Sequence, residues 1–157
     1  LDIISILEIM SKNSASMIRL FTLLTCIVLF SFRGPEPEKG SNTISVATSL
    51  SEEDNYKAAG RYLQGHGYEL AKTEKDFGII ETKGKQIKTG SFPYFLSIHV
   101  TVVKNVVQFV GYGWGSDPRM AGKVSKSKRA PEFFEALNQA ATEFSQAAQG
   151  EVSYSTK

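Results

Sequence analysis

The run PYFLSIHVTVV from Pro93 to Val103 leads into Lys104-Asn105 and then into VVQFVGYGWG from Val106 to Gly115. Two long β-prone segments joined by two residues predict a hairpin, because so short a turn fixes the register and Asn105 can adopt positive φ. In that register Val102 faces Val107, Val100 faces Phe109, Ile98 faces Gly111 and Leu96 faces Gly113. One face is then apolar and grows shallow towards the glycines, where a helix has room to lie. The other face carries Val103, Thr101, His99, Ser97 and Phe95 against Val106, Gln108, Val110, Tyr112 and Trp114, a mixture suited to partial hydration.

Downstream, Pro131 opens a helix whose Phe134, Leu137, Ala141, Phe144 and Ala148 form one stripe. At about 19 residues it would span roughly 28 Å, enough to cross a sheet of four or five strands. Upstream, ISVATSL reads as a short strand, and Ser51 followed by Glu52, Glu53 and Asp54 reads as an N-cap with an acidic first turn. The helix that follows carries Tyr56, Ala59 and Leu63 on one face, with Gly60 beside them, and stops at Gly65 and Gly67. YELAKTEKDFGIIETKGK then predicts strands over 68–72 and 77–83, turned through Thr73-Glu74-Lys75-Asp76. The order β-α-β-β-β-β-α points to an α+β domain: an antiparallel sheet of four to five strands curled around the C-terminal helix, with the first helix at an edge or on the same face.

The first 42 residues have a different character. Met10 and Met17 follow an initial Leu1, so the start is read at one of those methionines. Lys12 and Arg19 precede an apolar stretch from Leu20 to Phe32, the pattern of an export signal. About 13 residues give roughly 20 Å of helix, short of the roughly 30 Å hydrocarbon core, so a signal is favoured over a permanent span. Cleavage is expected near Ser31. Leu29-Phe30-Ser31-Phe32 stands where a lipoprotein box belongs, but Phe32 replaces the cysteine that would carry lipid; Cys26 is read as a passive apolar residue. The expected organisation is a leader over 1–33, a Pro/Glu/Gly/Ser tether over 34–42, one domain over 43–150 and a tail over 151–157.

The formal charge is +2, and residues 1–33 hold three basic and two acidic side chains, so the remainder carries about +1. Bulk charge therefore names no partner. With Cys26 as the only cysteine, the domain has no internal disulfide and no cysteine-based metal site. His66 and His99 have no neighbouring ligand or acid at a metal-binding or catalytic spacing. No G-x-S-x-G elbow occurs, and GYGWG from Gly111 to Gly115 lacks the Lys-Ser/Thr pair and the following helix of a phosphate loop.

Two features remain as candidate binding residues. The loop from Ser116 to Ala130 carries Arg119, Lys123, Lys126, Lys128 and Arg129 against Asp117 alone, a local charge that could attract phosphates, anionic lipid or acidic glycans. The hairpin register also gathers Phe95, Tyr112 and Trp114 on the sheet face away from the core, where aromatics can hold a partner or stack a ligand.

The stretch HGYELAKTEKDFGIIETKGK from His66 to Lys85, with its Gly-aromatic opening and its Asp-Phe-Gly-Ile-Ile-Glu-Thr run, resembles the helix-grip domains of the lipoprotein subunit of the outer-membrane barrel-assembly machinery and many small envelope lipoproteins. The resemblance covers about 20 residues and assigns no functional side chain. It implies a helix-grip fold and an envelope-facing binding or scaffolding module, periplasmic or attached to the outer membrane, with no catalysis and no cofactor. Its expected partner is an envelope protein or an anionic surface; nucleic acid is not expected, and membrane contact would run through an uncleaved leader. The alternative is a small-ligand carrier or hydrolase with a pocket between the sheet and the C-terminal helix, for which a cavity of several hundred Å³ opening at His66 or His99 would be the sign.

Overall fold

The computed structural model of the chain describes residues 35–88, 93–127 and 130–156. The expected leader, its cleavage near Ser31, Cys26 and Phe32 lie outside the described residues. In chain order the elements are β1 (Thr43–Ala47), α1 (Glu52–Gly65), β2 (Leu70–Glu74), β3 (Ile79–Thr82), β4 (Lys85–Lys88), β5 (Tyr94–Val103), β6 (Val106–Trp114), β7 (Gly122–Lys123), α2 (Pro131–Ala148) and β8 (Glu151–Ser155).

The β5–β6 hairpin is the spine of the sheet. Its register runs from Phe95 opposite Trp114 to Val103 opposite Val106, with Val100 opposite Phe109, as the two-residue turn predicts. The positive φ falls on Lys104, at 55°, and not on Asn105. Asn105 is held otherwise: its carbonyl accepts from Thr48 N at 2.9 Å and its side-chain amide donates to Thr48 O at 3.3 Å.

Both edges of this hairpin are shared. Along β5, β3 pairs with Thr101–His99 and β4 with Leu96–Tyr94, so the two are successive halves of one interrupted strand. The interruption is chemical: Ile98 N donates to the Thr82 hydroxyl at 2.8 Å, while Lys83 N turns away to Glu69 O. Along β6, β1 takes Val106–Phe109 and β7 takes Tyr112–Gly113. Beyond β3 lies β2, and beyond β1 lies β8, all antiparallel.

The expected curled sheet of four to five strands gripping the C-terminal helix is therefore corrected: the sheet has eight strands, in the order β2-β3-β5-β6-β1-β8 with β4 and β7 on the side, and it is neither closed nor curled. The extra width comes from KQIK and Gly122-Lys123, short segments whose strand character is supplied by backbone pairing, and from EVSYS, whose alternating Val152 and Tyr154 pack against the core. β8 lies within the segment read above as a tail, and it bonds along the whole of β1. A sheet this wide seats two helices side by side, so neither is wrapped.

Both helices lie on one face. Ser51 caps α1 by accepting from Asp54 N at 3.2 Å, with acids in the first turn, and the chain leaves through Gly67 at φ 75°. The stripe of α2 seats on the shallow end of the hairpin. A Cβ at Gly113 would stand 2.5 Å from the Phe133 ring, and one at Gly111 3.2 Å from Leu137. Phe109 and Phe144 meet at 5.4 Å between ring centres, and Tyr62 of α1 meets Phe144 edge-on at 5.9 Å. Ile44, Val46, Leu63, Ile80, Leu96, Ile98, Val100, Val107, Phe109, Phe134, Leu137 and Phe144 are buried between the layers. Each contributes about 1.5–3 kcal/mol of burial.

Candidate functional site

The opposite sheet face has no helix over it among the described residues. Because side chains alternate along a strand, this face receives Phe95, Ser97, His99 and Thr101 from β5 and Val110, Tyr112 and Trp114 from β6. Phe95 and Trp114 stack with ring centres 6.0 Å apart and planes 16° from parallel. The indole reaches over Gly84, where a Cβ would lie 2.2 Å from Cζ2, so the break between β3 and β4 is also the seat of the tryptophan. Tyr112 is 40% exposed.

His99 and Glu81 are cross-strand partners on this face, with Nδ1 3.3 Å from Oε1. Beside them Ser97 faces Tyr112, and Glu81, Thr82, Ser97, His99 and Tyr112 line a depression of about 390 Å³. The aromatic trio of the sequence thus lies along one strip of open sheet, and His99, which has no partner in the linear sequence, finds Glu81 there.

Among the described residues, Arg119, Lys123 and Lys126 are engaged in different places. Arg119 is held by Asp117 through a two-pronged bond, with Nη2–Oδ2 at 2.8 Å, and each lowers or raises the other's titration towards the charged form. Lys126 rests over the Phe134 ring at 5.6 Å, while its backbone pairs with Gly40 and Ser41. Lys123 sits in β7 opposite Tyr112. Lys128 and Arg129 lie outside the described residues.

A second concave site lies on the helix side, where the end of α1 meets α2 and β4. His66, on the exit of α1, packs its ring against Tyr62 at 4.0 Å between centres, with the planes inclined by 31°. Its Nδ1 is 2.8 Å from Tyr62 O; a carbonyl only accepts, so Nδ1 carries the hydrogen and Nε2 faces Glu143 of α2 at 3.5 Å. Tyr62 donates its hydroxyl hydrogen to Glu143 at 2.8 Å, and Gln139 donates to the other carboxylate oxygen at 2.8 Å. The Gln139 and Tyr62 bonds hold the Glu143 carboxyl below its usual range. Burial, and then the Glu143 bond, push the Tyr62 hydroxyl well above the usual phenol range, so it stays a neutral donor. Lys85 of β4 donates to His66 O at 2.6 Å and lies over the Tyr68 ring at 4.5 Å. Together with Ile87, Ala136 and Ala140 these groups enclose about 340 Å³.

Sequence reasoning found His66 but none of its companions. Tyr62 and Glu143 are 81 residues apart, and only the i,i+4 spacings Tyr62/His66 and Gln139/Glu143 were there to be read. Among the described residues no His, Cys, Asp and Glu side chains gather into a metal-sized group, and no helix is long and apolar enough to cross a membrane.

The fold and these concavities define a two-layer α+β domain in which one sheet face has no helix over it among the described residues. No family model and no curated protein matches the chain. Among solved structures it is similar to a TBP-like protein from Parabacteroides distasonis, at 13% identity over 73% of this chain and 98% of that one, with a TM-score of 0.42. It is also similar to a DUF4468 family protein from Bacteroides ovatus, at 12% identity over 74% of this chain and 84% of that one, with a TM-score of 0.34. At these values the likeness carries nothing about ligand or partner to this chain.

Proposed function

We propose that this chain is an exported, non-catalytic binding module of the bacterial envelope, which engages a protein partner through its open sheet face. The observation that carries the reading is the strip formed by the stacked Phe95–Trp114 pair and the exposed Tyr112, beside the depression at His99 and Glu81. Rigid aromatic side chains with a polar rim are the composition of protein-binding surfaces. A protein partner is favoured over an anionic surface because Arg119 is already neutralised by Asp117 and Lys126 is laid against Phe134. The export half of the reading rests on the apolar Leu20–Phe32 stretch behind Lys12 and Arg19.

Two measurements test it. A photo-crosslinking residue in place of Tyr112 should give one discrete adduct in intact cells, while the same residue in place of the helix-side Arg61 should give none. Equal labelling from both positions, or none from Tyr112, ends the sheet-face reading. A fusion of residues 10–60 to a reporter active only after export should give signal; a silent fusion ends the localisation.

A further inference from the structure

The helix-side cleft contains a group that the packing does not use. Tyr68 is only 6% exposed, and its ring is clamped beneath the Lys85 ammonium, yet its hydroxyl makes no hydrogen bond within the described residues. No fully buried polar side-chain atom lacks a partner there, so this hydroxyl opens into the cleft it lines. A phenol hydroxyl that reaches the cleft and bonds no protein group is free to donate to and accept from a bound polar group.

The surrounding chemistry narrows what that group belongs to. The rings of Tyr62 and His66, 4.0 Å apart and inclined by 31°, form aromatic surface at one wall, and Ala136 and Ala140 leave the other wall shallow. The same cleft is lined by the Glu143 carboxylate, the Gln139 amide with its carbonyl oxygen, and the Lys85 ammonium, whose hydrogens are not all taken by His66 O. Donors and acceptors thus line one cleft. One carboxylate and one ammonium give the wall no net charge, which disfavours an ionic guest. A volume of about 340 Å³ is at the small end of the range for ligand sites.

We propose that this cleft binds a neutral polyhydroxylated ring, a single sugar unit, with its apolar face on Tyr62/His66 and its hydroxyls shared among Tyr68, Glu143, Gln139 and Lys85. The site takes up the pocket alternative and names its ligand class; it shares no residue with the Phe95–Trp114–Tyr112 strip, so loss of either reading leaves the other standing.

The test is a titration of the purified full chain with glucose, galactose and N-acetylglucosamine, followed by amide NMR shifts, beside the same sugars as the ends of immobilised glycans. Saturable shifts centred on Tyr62, Tyr68, Lys85 and Gln139, with Tyr68→Phe weakening the affinity about tenfold at unchanged melting temperature, are the expected result. Gln139→Ala, a change at the rim of α2, should weaken it several-fold, and it decides the matter if Tyr68→Phe does not fold. Free sugars binding as well as glycan ends assigns the site to the monosaccharide; binding only to glycan ends assigns it to a chain terminus. No saturable binding up to about 10 mM, which is weaker than about 3 kcal/mol, binding indifferent to both variants, or preference for acetate, phosphate or tetramethylammonium over every sugar overturns the proposal.

Discussion

The Thr48 hydroxyl donates to Asn55 Oδ1 at 2.8 Å, and both residues are buried, at the point where the end of β1, the start of α1 and the β5–β6 turn converge. Thr48 Oγ1 also accepts from Leu50 N, and the Thr48 backbone bonds Asn105 on both sides. A single buried amide thus helps fix the hairpin turn against the capped end of a helix. Asn55→Ala is expected to cost about 1–3 kcal/mol, because it strands the Thr48 hydroxyl in an apolar setting. In urea unfolding, Thr48→Val should cost less on top of Asn55→Ala than it does alone, since the two share the lost hydroxyl–amide bond and only the Leu50 N–H acceptor is newly removed.

Gly78 and Gly65 should respond in opposite directions to alanine. Gly78 has φ 62°, and its Cβ would lie 2.3 Å from Val102 O, the residue whose N–H it bonds through its own carbonyl at 2.8 Å. Gly78→Ala should lose about 2 kcal/mol or more, because backbone and not a side chain must yield. Gly65 ends α1 with nothing within 4 Å of the added carbon, so Gly65→Ala should gain up to about 1 kcal/mol. Thermal melts of the two variants give both signs.

Trp114 is the only tryptophan, so its emission reports on the open face alone. Gly84→Ala places a carbon inside the indole's seat and should unstack it from Phe95, shifting the emission to the red. Gly111→Ala, which crowds Leu96, Leu137 and Val124 on the other face, should cost about 1–3 kcal/mol in stability and leave that emission unchanged in the folded protein.

Glu53 of α1 is held by Lys75, 2.9 Å away in the turn between β2 and β3, and by Lys57 at 3.0 Å. These bonds draw its carboxyl from 4.5 down to about 2. A carboxyl depressed by folding contributes its full stabilisation above 4.5 and loses it as the pH falls towards 2. NMR titration should place the Glu53 midpoint near 2, and Glu53→Gln should remove part of the loss of stability across that window. Added salt should shrink the effect, because all three groups are exposed.

What was legible in the sequence follows from where the information is local. The β5–β6 register could be read because a two-residue turn and an alternating pattern leave one solution, and α2 because Phe134, Leu137, Ala141 and Phe144 mark one stripe. KQIK carries no such mark and is made a strand by its partner Leu96–Tyr94, while EVSYS has Val152 and Tyr154 in alternation but is too short to be read without its partner Thr43–Ala47. The positive φ fell on Lys104 because Asn105 is occupied by Thr48, a contact 57 residues away. The helix-side cleft was invisible for the same reason, since Tyr62, Lys85 and Glu143 come from three separate elements.

The pairing of β1 with β8 has a temporal meaning. Ser45 and Ser153 sit opposite each other 108 positions apart, so the strand made first waits for the strand made last. While the ribosome is still making β8, β1 can dock on β6 but keeps its outer edge bare, and Val46 lacks its Val152 cover. The rate of completion is then governed by closure of the longest loop in the sheet, and the domain reaches its native state only after synthesis has passed Ser155.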